Sequence, residues 1–200
     1  MGKPNDLGAI FMVGSDLGQR STLTGEKMTP VLYLDLDGTV RMGYDELGHF
    51  VNSPDDVHVF QGVPELLQMY KQLGWRIVGI SNQGGIAKGL LDMKVCQEAM
   101  AETQRQSGFA FDKVAWCIHH PDAPEPEMAT CWCRKPRIGL IVEAALELAA
   151  QYGEIYPPHL GLFVGDLESD KETAANANLN FMWAKDWRLG KHMDEILPGV

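Results

Sequence analysis

The segment DLDGT, residues 35–39, places two carboxylates two residues apart at the end of the apolar run VLYL. Asp and Gly often begin turns, which gives the pair a purely structural reading. An aspartate closing so apolar a run is nonetheless costly to bury unless it is paired or bound to a metal. Gly38 lets the chain turn sharply at that point. Other apolar runs also end on polar groups. RIVGIS, residues 76–81, closes on the hydroxyl of Ser81 and is followed by the amide of Asn82. LFVG, residues 162–165, is followed by Asp166 and then Asp170. Lys135 lies between Asn82 and Asp166 in the chain.

A second concentration of reactive side chains is CIHHPDAPEPEMATCWCRKP, residues 117–136, which carries three of the four cysteines. Cys117, His119, Cys131 and Cys133 follow the spacing Cys-x-His-x11-Cys-x-Cys. Three thiolates and one imidazole make a closed tetrahedral zinc set. The alternative is a reduced loop without metal. Against it, this proline-rich segment has little apolar content to order itself, and a bound ion supplies that order. Thiol redox chemistry fits less well, because Cys-x-Cys is not the Cys-x-x-Cys of thiol oxidoreductases. His120 reads as a solvated remainder, and Cys96 as a small core residue within a helical stretch.

These groups must be positioned by something regular. VLYLD (31–35), RIVGIS (76–81), KVAWCI (113–118), GLFVGD (161–166) and NFMWA (180–184) are short apolar runs suited to strands buried on both faces. Between them, residues 64–74, 91–108, 138–153 and 168–179 carry helical spacing, and three of these stretches stop at glycine. A weak final helix is expected in the tail. Alternating strands and helices predict an α/β fold: a Rossmann-like three-layer sandwich with a mostly parallel central sheet. In such sheets ligands sit beyond the carboxyl ends of the strands, where the reactive groups fall.

The chain has 200 residues, enough for one domain and one good core. Residues 1–29 have no sustained period and read as a flexible extension. Residues 30–200 form the domain, with the zinc loop at 117–133. The formal charge of −10 argues against a nucleic-acid partner, whose binding depends on cationic contacts. It leaves room for a small phosphorylated metabolite held by a local cationic pocket. The apolar cluster at 9–13 is too short for a signal-peptide core. No membrane partner and a cytoplasmic location are therefore expected, with reduced cysteines and a monomer as the default.

Taken in order, DLDGT, ISN, Lys135 and GDLESD resemble the four motifs of the haloacid dehalogenase (HAD) superfamily of phosphotransferases. C-x-H-H-P followed by C-x-C-R-K-P, together with SNQGGIAKG, is similar to its zinc-containing branch of heptose bisphosphate and histidinol-phosphate phosphatases. The resemblance covers about residues 31–185. It implies a Mg²⁺-dependent phosphatase with Asp35 as nucleophile, forming an aspartyl-phosphate, and Asp37 as acid and base. Mg²⁺ would be held by the carboxylates of Asp35 and Asp166 and the backbone carbonyl of Asp37. A bound Mg²⁺ neutralises the repulsion between an anionic phosphate and an anionic nucleophile. Ser81, Asn82, Arg134 and Lys135 would bind substrate, and Asp170 would support the site from behind. The zinc would be structural, its loop delivering Arg134 and Lys135 to the phosphate.

This chain departs from the branch in places. DLDGTVR stands where a DRDGTIN-like run is commoner, so Leu36 and Arg41 differ, and Arg41 is expected near the site entrance. The interval from Thr39 to Ser81 is too short for a large inserted cap, so a nearly capless HAD fold with a zinc-stapled loop is expected. Two other functions compete: a polynucleotide 3′-phosphatase, with similar first and second motifs, and a non-catalytic zinc-binding interaction module.

Overall fold

The computed structural model describes residues 27–191. Most of the expected extension, residues 1–26, and the end of the tail lie outside the described residues. Within them, Met28 forms a bridge with Ile155, and the Thr29 amide donates to the Ile155 carbonyl at 2.9 Å.

Five strands form one sheet: β1 (Val31–Leu34), β2 (Arg76–Asn82), β3 (Lys113–Cys117), β4 (Leu162–Gly165) and β5 (Asn180–Trp183). All neighbouring pairs are parallel, in the order β3-β2-β1-β4-β5. The helices are α1 (Tyr44–Leu47), α2 (Val63–Gln72), α3 (Met93–Gln106), α4 (Pro126–Ala129), α5 (Gly139–Tyr152), α6 (Glu168–Asn176) and α7 (Ala184–Arg188). Short 3₁₀ turns occupy Pro54–Asp56 and Pro158–Leu160.

Alternation along the central strand builds two cores. Leu32 and Leu34 pack on one face with Leu67 and Tyr70 of α2, Cys96 and Met100 of α3, and Trp187 of α7. Val31 and Tyr33 pack on the other with Leu140, Ile141, Ala144 and Leu148 of α5 and Ala174 of α6. The result is the expected three-layer sandwich. α3 starts where the Asp92 side chain accepts from the amides of Lys94 and Val95, satisfying donors a helix start leaves free. Its buried residues Cys96, Ala99, Met100 and Thr103 keep helical spacing. Between Thr39 and β2 the chain supplies only α1, one 3₁₀ turn and α2. No cap domain fits in that interval.

The order reverses between β1 and β4, the point at which doubly wound sheets form a ligand crevice. Asp35 follows the first of these strands and Asp166 the second.

Candidate active site

The turn after β1 is held tightly. The amides of Val40 and Arg41 both donate to the Leu36 carbonyl at 2.9 Å, and the Gly38 amide donates to the Arg41 carbonyl at 2.8 Å. Gly38 has φ +90°, and a Cβ there would lie 2.2 Å from Asp166 Oδ2. Only glycine lets the turn approach this carboxylate so closely. Arg188 of α7 clips the same turn, donating to the carbonyls of Gly38 (2.7 Å) and Thr39 (2.9 Å).

Asp35 is buried beside Lys135 Nζ, which donates to its Oδ1 at 2.5 Å and to Asp170 Oδ1 at 2.6 Å. Oδ2 of Asp35 is buried without any hydrogen-bond partner. Carboxylate oxygens of Asp35, Asp166 and Asp170 lie within 4.8 Å of one another. Burial pushes the Asp35 carboxyl well above the usual carboxylate range against the pull of Lys135, and Asp170, Asp37 and Asp166 push the same way. Asp166, more open to solvent, is raised by burial and then by Asp170. Burial works against the Lys135 charge, but Asp35 and Asp170 outweigh it and keep the ammonium protonated. A buried acceptor with no donor, in a cluster with more negative than positive charge, fits a hard divalent cation such as Mg²⁺.

Asp170 has two duties. Its Oδ2 accepts from the Leu167 amide at the start of α6, and its Oδ1 holds Lys135. Ser81 donates to Asp37 Oδ2 at 3.2 Å, inside the cluster. Asn82 faces the Lys135 main chain, accepting from its amide at 3.1 Å and donating to its carbonyl at 3.3 Å. It clamps the lysine's backbone. Arg134 is half-buried and donates to the His119 carbonyl at 3.0 Å.

Two residues stand differently from the sequence reading. Gln83, given no role in the sequence although it lies within SNQGGIAKG, donates to Asp37 Oδ2 at 2.8 Å and to the Ser81 hydroxyl at 2.7 Å. Arg41, expected near the entrance, is completely buried beneath Asp37, with Nε 2.8 Å from Asp37 Oδ1. The other departure, Leu36, is a fully buried core residue.

The cysteine loop closes on itself. Sγ of Cys117 lies 3.7 Å from that of Cys131 and 3.2 Å from that of Cys133, and His119 Nδ1 lies 3.5 and 3.3 Å from Cys117 and Cys133. A tetrahedron with metal–sulfur bonds near 2.3 Å has edges of about 3.7 Å, so the set fits zinc. The amides of His119 and Arg134 donate to Cys117 and Cys131 sulfurs, the outer contacts that orient such ligands. His120 is half-buried rather than solvated: its Nδ1 accepts from the Asp122 amide at 3.1 Å. Burial, then Arg134 and Lys88, hold its pKa below the usual histidine value. Cys96 is buried in α3 as expected, its thiol pushed up to about 11 by burial.

A parallel sheet tipped with these carboxylates is the architecture of the HAD-type phosphatases, and the protein is a phosphoric monoester hydrolase of that class. Residues 30–187 match the family described as polynucleotide kinase 3 phosphatase, and the chain belongs to it. The chain is 30% identical over 154 residues to the D-glycero-beta-D-manno-heptose-1,7-bisphosphate 7-phosphatase of Photorhabdus laumondii, covering 75% of this chain and 77% of that one. It is 33% identical over 162 residues to the histidine biosynthesis bifunctional protein HisB of Legionella pneumophila, covering 78% of this chain but 41% of that longer one. Among solved structures, the D,D-heptose 1,7-bisphosphate phosphatase from B. bronchiseptica, complexed with magnesium and phosphate, superposes with TM-score 0.62 at 26% identity, covering 82% of this chain and 87% of that one. An HAD-like phosphatase from Mesorhizobium loti shares the fold, with TM-score 0.67 at 24% identity over 81% of this chain and 73% of that one. No helix among the described residues is long and apolar enough to cross a membrane.

Proposed function

We propose that the protein hydrolyses a small phosphorylated sugar or amino alcohol, such as a heptose bisphosphate or histidinol phosphate, through an aspartyl-phosphate on Asp35. The observation that carries this reading is the Asp35 carboxylate: one oxygen is held by Lys135, and the other is buried with no donor. A carboxylate oxygen of Asp35 attacks phosphorus, and the bond from phosphorus to the leaving oxygen breaks. Asp37 gives that oxygen its proton, so an alcohol departs. Asp37 then takes a proton from water as the water oxygen attacks phosphorus, and phosphate and the free Asp35 carboxylate are released.

Lys135 and the Ser81 hydroxyl hold the phosphoryl oxygens, and Arg134 stands at the rim for the rest of the substrate. Mg²⁺, held by Asp35, Asp166 and the Asp37 carbonyl, would supply charge neutralisation between nucleophile and phosphate. Zinc on Cys117, His119, Cys131 and Cys133 would be structural, since four protein ligands leave no open position. All these residues come from one chain, so a monomer suffices. The four cysteines are unpaired thiols, which suits a reducing cytoplasm.

The family's description names a polynucleotide phosphatase, but the net charge of −10 weighs against a polyanionic substrate. The test is phosphate release, with and without Mg²⁺, from heptose 1,7-bisphosphate, histidinol phosphate and a 3′-phosphorylated oligonucleotide. Mg²⁺-dependent release from either small substrate is expected. Preference for the oligonucleotide would overturn the substrate assignment, and no release from any would overturn the catalytic one.

A further inference from the structure

A buried guanidinium is costly unless its donors are met. Arg41 meets its requirement in two directions. On one side Nε and one terminal nitrogen face the two oxygens of Asp37, at 2.8 and 3.3 Å. On the other, the second terminal nitrogen donates to the Thr103 hydroxyl at 2.7 Å and to the Ala99 carbonyl at 3.3 Å, both on α3. The Thr103 hydroxyl donates its own hydrogen to the Ala99 carbonyl at 2.8 Å, which leaves its lone pairs for the arginine. Asp37 also accepts from Gln83 and Ser81, both on Oδ2. Its side chain nevertheless keeps 31% exposure, so part of it still reaches solvent.

We propose that Arg41 is a positioning residue for Asp37, braced by Thr103 and Ala99. The inference rests on the reading of Asp37 as the acid and base. Arg41 touches no substrate atom in it. A planar fork against a carboxylate fixes both the place and the plane of its oxygens. The reference for that plane is α3, a helix that gives no group to the reaction. Proton transfer tolerates little misplacement, and about 1 Å of error can cost on the order of 10²-fold in rate.

The two halves of the reaction allow the role to be read separately from folding. A p-nitrophenolate leaving group departs without a proton, so phosphorylation of Asp35 by p-nitrophenyl phosphate bypasses Asp37. Hydrolysis of the aspartyl-phosphate does not. The experiment follows p-nitrophenolate release by Arg41→Met in stopped flow, with Mg²⁺ present and zinc retained. The expected result is a burst near one equivalent per chain, followed by a steady state roughly 10- to 100-fold below the parent. With an alkyl phosphate, whose leaving oxygen needs a proton, the first turnover should slow as well. Thr103→Val should show the same pattern more weakly, and it remains decisive if Arg41→Met does not fold.

A burst and steady state that fall in the same proportion would mean lost folded protein, and would overturn the positioning role. Unchanged kinetics in the folded variants would overturn it too. Asp37→Asn, measured alongside, separates the two readings. If that variant turns over like the parent, the acid–base assignment fails first. If it stalls as phosphoenzyme while Arg41→Met and Thr103→Val match the parent, only the inference about Arg41 fails.

Discussion

The two ends of this sheet treat buried charge in opposite ways. At the amino end, Lys27, Lys71 and Arg76 meet Asp112 and Glu154. Tyr152 and Tyr156 add hydroxyl donors, the Ile77 amide adds another, and all four carboxylate oxygens accept at least one hydrogen bond. At the carboxyl end, Asp35, Asp37, Asp166 and Asp170 stand with only Lys135 and Arg41 paired to them among the described residues, and Asp35 Oδ2 accepts nothing. The same residue types build a closed network at one end and an incomplete one at the other. The incomplete end is where an ion and a phosphate can supply what is missing, and such unresolved local demands are characteristic of functional sites.

If that contrast is right, substitutions at the two ends should divide stability from activity. The largest effect is expected from Asp35→Asn, which should lower turnover by at least about 10⁴-fold, the scale of removing a nucleophile. Its melting temperature should stay level or rise, because one surplus negative charge is gone. Phosphate release and calorimetry on the same sample check both halves, and a collapsed melting temperature would break the comparison.

On the proposed reading, zinc on the cysteine loop would stiffen the open end, so Cys131→Ser sharpens the picture next. Metal analysis should find about one zinc per chain in the parent and none in the variant. Substrate affinity should fall about 10- to 100-fold as Arg134 and Lys135 lose their support. Unchanged phosphate affinity with a lost chemical step would instead make the zinc catalytic. At the closed end, Asp112→Asn should cost about 3 kcal/mol in urea unfolding, since it strips the partner from two cations. Turnover per folded molecule should match the parent.

The smallest effect is a pH signature. Burial works to raise the Glu154 carboxyl, but hydrogen bonds from Arg76, Lys27 and Tyr156 bring it down to about 2, from an ordinary 4.5. Between those values the unfolded chain binds the proton and the folded one does not. The contribution is therefore complete above about pH 4.5 and lost as pH falls toward 2. Melting temperatures across that window should drop less steeply in Glu154→Gln than in the parent.

Much of the open end was legible in the sequence, because its signals are local. The strands that lead to Asp35, Ser81 and Asp166 announce themselves by apolar runs, and the cluster of Cys117, His119, Cys131 and Cys133 by spacing within one loop. The closed end was not legible. Glu154 reaches Lys27 across 127 positions and Arg76 across 78, and nothing in their surroundings marks them as partners. Arg41 was misplaced for a related reason. Its neighbours in the turn suggest an exposed cation, whereas its place is decided by Thr103, 62 positions away on a helix face. The 3₁₀ turns, α1 and α4 went unseen, being too short to show a period.

The clip from Arg188 onto the carbonyls of Gly38 and Thr39 spans about 150 positions of chain. A ribosome adding roughly 5–20 residues per second needs about 8 to 30 s to travel that distance. For that time a nascent chain carries Asp35 without the last hydrogen bonds that shape the turn after it. The turn that follows Asp35 is therefore completed only after Arg188 has been synthesised, later than Lys135 and Asp166.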